Sequence, residues 1–386
     1  MGIRTVVISF LLCLLVSGTL LAQPNNYGVP MITNYKHSIT GGSEQNWCVT
    51  QDARGVMYFG NNDKGVLEYD GVEWRRIPVP NDPIIRSLET GDDGVVYVGG
   101  ESEFGYLAPD NVGNMHYRSL SDTIDQEKYP FTGVWRTYDH DGKIYFCTYS
   151  KIFIFNREMD ELSILETPEY TYFSFIIDST LFVSDFGNGL MRYDKEKFVT
   201  VKGGEFFKEM VITGLVKYDE NRLLAGTYQQ GVYLFDKKSG TVDHSFLDPG
   251  LQDHFRNGGI TYVRSLNDDF VVSSLYNGLV ILNRNGKATE ILSKAEGLID
   301  EDITFVYSND QLKGTGPLWL TNLIGVSKLE TYNPFRQFTE ASGFEGFILD
   351  IVNFNEKLFI STYSGLYFKN STSTSTRFIP VPETRD

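Results

Sequence analysis

Cysteine is scarce in this chain, with three residues in 386. Cys13 falls inside a leading apolar run, which leaves Cys48 and Cys147 far apart. Two cysteines do not build a disulfide framework. Each lies in an apolar strand pattern (Trp47-Cys48-Val49 and Phe146-Cys147-Thr148), so both read as small buried hydrophobes. Histidine is also sparse: His37, His116, His140, His244 and His254 are scattered without the close pairing of a zinc site. Basic residues are outnumbered 34 to 50, and the net charge of −16 argues against nucleic-acid binding by bulk charge. Beyond residue 22 no apolar run approaches the roughly 20 residues of a membrane helix. The sequence has no Gly-x-Ser-x-Gly elbow and no Gly-Lys-Ser/Thr phosphate loop, and Gly314-Thr315-Gly316 runs into Pro317 as a hairpin turn would. Asp139 and Asp141 lack the ligand series of a calcium loop. These absences lead us to expect no metal, no cofactor and no enzyme.

The chain is rich in what strands and turns need. It has 41% hydrophobic and 14% aromatic content, with 37 glycines, 23 tyrosines and 27 phenylalanines, and few long stretches of helix formers. That composition supplies a core and points to a large all-β protein. The N-terminus reads as an address: Arg4, then an apolar run from Thr5 to Leu21, then Ala22-Gln23 as a cleavage site. Residues 1–22 are therefore expected to be a signal peptide and the mature chain to be exported to the periplasm. Leu20 suits the position three before cleavage less well than alanine would, so an uncleaved inner-membrane tether is the alternative. Cys13 lacks the small preceding residue of a lipoprotein signal.

The rest is a repeat. An apolar strand, a polar turn bearing Asp or Gly, a second apolar strand, a loop and a Gly-apolar-aromatic strand recur eight times. The third-strand glycines are Gly65, Gly105, Gly189, Gly231, Gly278, Gly325 and Gly365, with Lys151 in the third repeat, a spacing of about 43 residues. Four short strands in such a unit make a β-propeller blade. Turns such as Asp52 to Gly55, Asp92-Asp93-Gly94 and Asp141-Gly142 supply the Asx side chains and positive-φ positions that tight hairpins require. A propeller must close its ring, and Met31 to Tyr35, which has no blade of its own, can complete the last blade. This gives a seven-bladed propeller over residues 23–338 and an additional repeat over 339–386 starting a second, incomplete propeller. An eight-bladed ring is the alternative.

At this point the residues resemble a known family. Gln45-Asn46-Trp47, Gln51-Asp52, Gly55-Val56-Met57-Tyr58-Phe59-Gly60-Asn61, Gly65-Val66-Leu67-Glu68-Tyr69-Asp70-Gly71 and Trp74 are similar to the two-component regulator propeller repeats of Bacteroidetes sensors. Ile85-Arg86-Ser87-Leu88, Val96-Tyr97-Val98-Gly99-Gly100 and Glu103-Phe104-Gly105-Tyr106-Leu107 resemble the same triple-tyrosine-motif subgroup. The resemblance implies an exported sensor region whose family members continue into further repeats, a β-sandwich, a membrane helix and an output domain. The sequence contains no kinase-like His box, ATP-binding glycine motif or basic recognition helix, so the output is expected from other domains or subunits of a membrane sensor.

The loops between second and third strands carry Asn61, Asn62, Asp63, Glu101, Glu103, Tyr149, Asp185, Phe186, Tyr228, Gln229, Tyr276, Asn277 and Asn322. Aromatic faces stack on sugar rings, and amides and carboxylates bind hydroxyls. A second set, assigned to the starts of the innermost strands, is Asn46, Trp47, Arg86, Trp135, Arg136 and Arg264, whose arginines suit an anionic ligand such as a uronic acid. The expected site combines this set with Tyr149, Tyr228, Tyr276 and Asn277. The expected ligand is an oligosaccharide or similar polar small molecule. Two rivals are a propeller glycoside hydrolase or lyase, which needs two converging carboxylates, and a protein-docking scaffold, marked by an exposed apolar patch.

Overall fold

The computed structural model describes residues 28–338, 342–370 and 377–384. The expected signal peptide lies outside them. The described residues form eight four-stranded antiparallel sheets, and in seven the strands follow chain order from the inside out. The seventh differs: Ile303–Tyr307, Leu318–Asn322 and Gly325–Glu330 receive Met31–Lys36 as their outermost strand, in a register from Met31 opposite Glu330 to Lys36 opposite Gly325. The first and last parts of the ring are thus sewn into one sheet, which removes an open edge.

Seven sheets close on themselves. The innermost strand of blade 1, Asn46–Gln51, packs on Ile85–Thr90 of blade 2 on one side and on Ile303–Tyr307 of blade 7 on the other. Hydrophobic cores lie between neighbouring blades, as alternation on two-sided strands dictates. Blades 1 and 7 share Val49, Phe59, Leu67, Trp319 and Val326, with Tyr35 stacked on Trp319 at 5.9 Å. Truncating Trp319 to alanine should cost about 3–5 kcal/mol. Cys48 and Cys147 are both buried, free thiols, and burial pushes the Cys147 thiol up to about 12.

Turn chemistry follows the repeat. Asp52 accepts the backbone N–H groups of Arg54 and Val56 at 2.9 and 3.0 Å while Gly55 takes φ 87°. Asp110 does the same for Val112 and Asn114.

The eighth sheet stands outside the closed ring. It has a small core of its own, Leu358, Ile360, Tyr367 and Phe378, and its innermost strand Ile348–Phe354 is exposed along its whole length. Among the described residues no helix is long and apolar enough to cross a membrane.

Candidate functional site

One irregularity recurs at the start of the innermost strands. The register slips by one residue between Asn46 and Cys48, Ile85 and Ser87, Thr171 and Phe173, Ile212 and Gly214, Ile260 and Tyr262, and Ile303 and Phe305. Such bulges re-aim the extra side chain. The extra residues are Trp47, Arg86, Tyr172, Thr213, Thr261 and Thr304. In blade 3 the corresponding residue is Trp135, just before the strand Arg136–His140.

In blades 1 to 4 these residues meet at the ring's mouth, on the face of the second-to-third-strand loops. The Arg86 guanidinium lies between two indoles, 4.1 Å from the Trp47 ring centroid and 4.6 Å from that of Trp135. Its Nε donates to Glu101 Oε1 at 2.8 Å, while Nη1 and Nη2 make no hydrogen bond among the described residues. The Arg86 side chain is 12% exposed and that of Glu101 33%. Trp47 Nε1 donates to Asn62 Oδ1 at 3.3 Å. Trp135 stacks on Tyr149 at 5.5 Å, Tyr149 meets Tyr172 at 5.9 Å, and Tyr172 meets Phe186 at 6.3 Å. Burial pushes the Tyr149 phenol up to about 12, so it is a neutral donor at physiological pH. The Trp135 indole N–H is buried without a partner. Gly133 makes the close packing possible: a Cβ there would stand 3.1 Å from Glu101 Oε1 and 3.2 Å from Trp135 Nε1. The result is an aromatic arc, half-buried at Trp47 and Trp135 and open at Tyr172 and Phe186, with one guanidinium and one carboxylate set into it.

The other anticipated residues divide. Tyr228 and Tyr276 flank Gly259 on blades 5 and 6, on the same face, and Asn277 donates to the His254 carbonyl at 2.8 Å from beside the helix Pro249–Gly258. They form a second cluster. Three readings need correction. Asn46 is fully buried: its amide donates to the Glu44 and Gly325 carbonyls and accepts from Asn61, so it ties blade 1 to blade 7. Arg136 does not stand at the mouth but crosses the axis, its Nη2 reaching the Thr213 carbonyl at 3.1 Å and its guanidinium lying over Phe173 and Tyr262. Arg264 sits near the end of its strand Ile260–Leu266, not the start, and bonds Ser308 and Asp310 on the opposite face. Arg136 directly follows the mouth residue Trp135, and Arg264 lies three residues beyond the bulge at Thr261. Tyr172 was missed outright. Aligning Trp47, Arg86 and Trp135 as one position of the repeat would have found it.

Among the described residues no group of three His, Cys, Asp or Glu side chains is placed to hold a metal ion. No protein-family model and no curated protein matches the sequence. Solved structures match in fold. The extracellular domain of a protein assigned as a hybrid two component system of B. thetaiotaomicron superposes with a TM-score of 0.66 at 14% identity, over 91% of this chain and 49% of that one. The extracellular domain of a protein assigned as a one component system of the same organism gives 0.60 at 16% identity, over 90% and 47%. A virginiamycin B lyase from Staphylococcus aureus gives 0.57 at 14% identity, over 78% and 99%. The chain thus spans about half the length of the two extracellular domains. With the eight sheets and the closed ring, these likenesses establish the architecture as a β-propeller of four-stranded blades.

Proposed function

We propose that this chain is the ligand-perceiving propeller of an exported sensor, binding an oligosaccharide or a similar polar molecule on the arc from Trp47 to Phe186 and passing the signal through other parts of a membrane sensor. The observation that carries this reading is the Arg86 guanidinium held between Trp47 and Trp135, with two of its nitrogens making no hydrogen bond among the described residues. Flat aromatic faces suit sugar rings, and a fixed guanidinium suits a uronic acid carboxylate. The likeness to sensor extracellular domains and the family resemblance of the first two repeats support the role. The hydrolase or lyase rival gains nothing here, since Glu101 in the arc is committed to Arg86. The test is a thermal-shift screen of the mature chain from Gln23 against neutral and uronic-acid-bearing oligosaccharides, because a ligand that binds only the folded state raises its melting temperature. A hit abolished by Arg86→Ala supports the proposal. Flat curves from a folded sample across the panel count against it.

A second reading has its own observation. The eighth sheet exposes Phe347 at 83%, Leu349 at 54% and Phe354 at 61%, an apolar surface of the kind that docks protein. A concentration-dependent mass in solution that is lost on Phe354→Ser supports it.

A further inference from the structure

A cavity of about 630 Å³ opens on the face opposite the arc, where the first-to-second-strand turns lie. Its inner end is Arg136, with Tyr138 and Tyr262 beside it; its walls are apolar, among them Phe175, Ile177, Leu215 and Val263. Its rim carries Lys217, Arg264 and Lys313, with Asp310 as the one carboxylate in the lining.

The charges in this basin are unevenly answered. Lys217 pairs with Asp178 and Glu220, each at 3.0 Å, and Arg264 with Asp310 at 2.8 Å. Arg136 and Lys313 make no ion pair among the described residues. For Lys313, exposed on the rim, that is ordinary. For Arg136 it is not. Among the described residues its Nη1 and Nη2 reach only the Trp135 and Thr213 carbonyls, at 2.9 and 3.1 Å, its Nε is buried without a partner, and its guanidinium lies over the rings of Phe173 and Tyr262. A cation withdrawn from water normally has an anion beside it. We propose that the basin binds a small organic anion with an apolar body, an aromatic or branched aliphatic carboxylate or sulfate, whose charge lies in the joint field of Arg136 and Lys313 and whose body packs on the Phe175 and Val263 wall. This site is separate from the arc and does not rest on it.

The experiment is calorimetric titration of the mature chain with benzoate and phenyl sulfate, with benzamide as the neutral match. Saturable binding of an anion and much weaker binding of benzamide are expected. Lys313→Glu should weaken the anion by about fivefold to tenfold, and Arg136→Gln by at least about tenfold. If Arg136→Gln does not fold, Lys313→Glu on the exposed rim decides. Arg86→Ala, on the other face, should leave anion affinity unchanged. Absence of saturable binding by either anion up to about 10 mM, equal binding of benzamide, or loss of binding on Arg86→Ala but not on Lys313→Glu overturns the proposal. Preference between benzoate and phenyl sulfate then identifies which anionic group the basin takes.

Discussion

The same bulge position is used in two ways around the ring. In blades 5, 6 and 7 it holds threonine, and each hydroxyl donates to the first carbonyl of the next innermost strand: Thr213 to Ile260 at 2.8 Å, Thr261 to Ile303 at 2.7 Å, Thr304 to Asn46 at 2.6 Å. In blades 1 to 4 it holds Trp47, Arg86, Trp135 and Tyr172, none of which makes such a tie. In blades 1 and 2 the tie moves one residue along: Ser87 Oγ donates to the Val134 carbonyl at 2.7 Å, and Cys48 Sγ points at the Ile85 carbonyl at 3.8 Å. Shifting the cross-blade bond from the bulge to its neighbour frees the bulge side chain for the mouth. Stability and recognition therefore share one backbone feature but not one set of side chains, and the ring is a fastened arc beside an open one.

That division predicts opposite outcomes for matched substitutions. The largest effect should come from the triple Thr213→Val, Thr261→Val, Thr304→Val variant, which keeps shape but leaves three carbonyls without their hydroxyl donors. At about 1–1.5 kcal/mol per bond, urea unfolding should show a loss of about 3–5 kcal/mol. Ligand affinity in the surviving folded fraction should hardly change. An unaltered urea midpoint would remove the fastening role.

In the open arc, Trp135→Ala should cost at least about tenfold in affinity for any oligosaccharide that binds, because it removes one of the two rings around Arg86 and the stack on Tyr149. Tyr172→Ala, at a side chain 40% exposed, should move stability by less than about 1 kcal/mol while still weakening binding. Arg86→Lys sharpens the comparison further. A lysine keeps the charge but not the planar fork, so a uronic-acid ligand should lose about fivefold to tenfold and its neutral counterpart less. Equal losses for both ligands would place the arginine's role in packing the indoles apart.

How much of this was legible beforehand follows from the same position. The period of the repeat, the Asp-Gly turns and the third-strand glycines are local signals, and they carried the blade architecture. Trp47, Arg86 and Trp135 were readable as a set because each follows a strand-starting apolar or amide residue in a well-marked repeat. Tyr172 was hidden because Thr171-Tyr172-Phe173-Ser174 looks like any aromatic strand. Arg136 was misplaced because a one-residue slip reverses which way a strand side chain faces, and Arg264 because the start of its strand, Ile260, lies four residues earlier. The basin was invisible for a different reason: Arg136, Lys217 and Lys313 come from three blades and meet only once the ring has closed.

Titration at the centre of the ring tests whether the two arcs share an electrostatic axis. Glu89 of blade 2 is influenced by Arg264 of blade 6, Asp139 of blade 3 and Asp310 of blade 7, so its carboxyl faces the centre of the ring. Burial is the main cause that pushes it up to about 8, with Arg264 opposing and the two aspartates adding. An unfolded glutamate titrates near 4.3, so between the two values the folded chain holds a proton that the unfolded chain has lost. The stability this contributes is complete below the unfolded value and disappears as pH rises through about 8. The melting temperature of the wild type should therefore fall between about pH 4 and pH 8 and level off above that, and Glu89→Gln, which cannot ionise, should flatten that part of the curve. If the wild-type curve is already flat there, Glu89 is ionised in the folded chain as well, and the field of Arg264 outweighs burial at the centre of the ring.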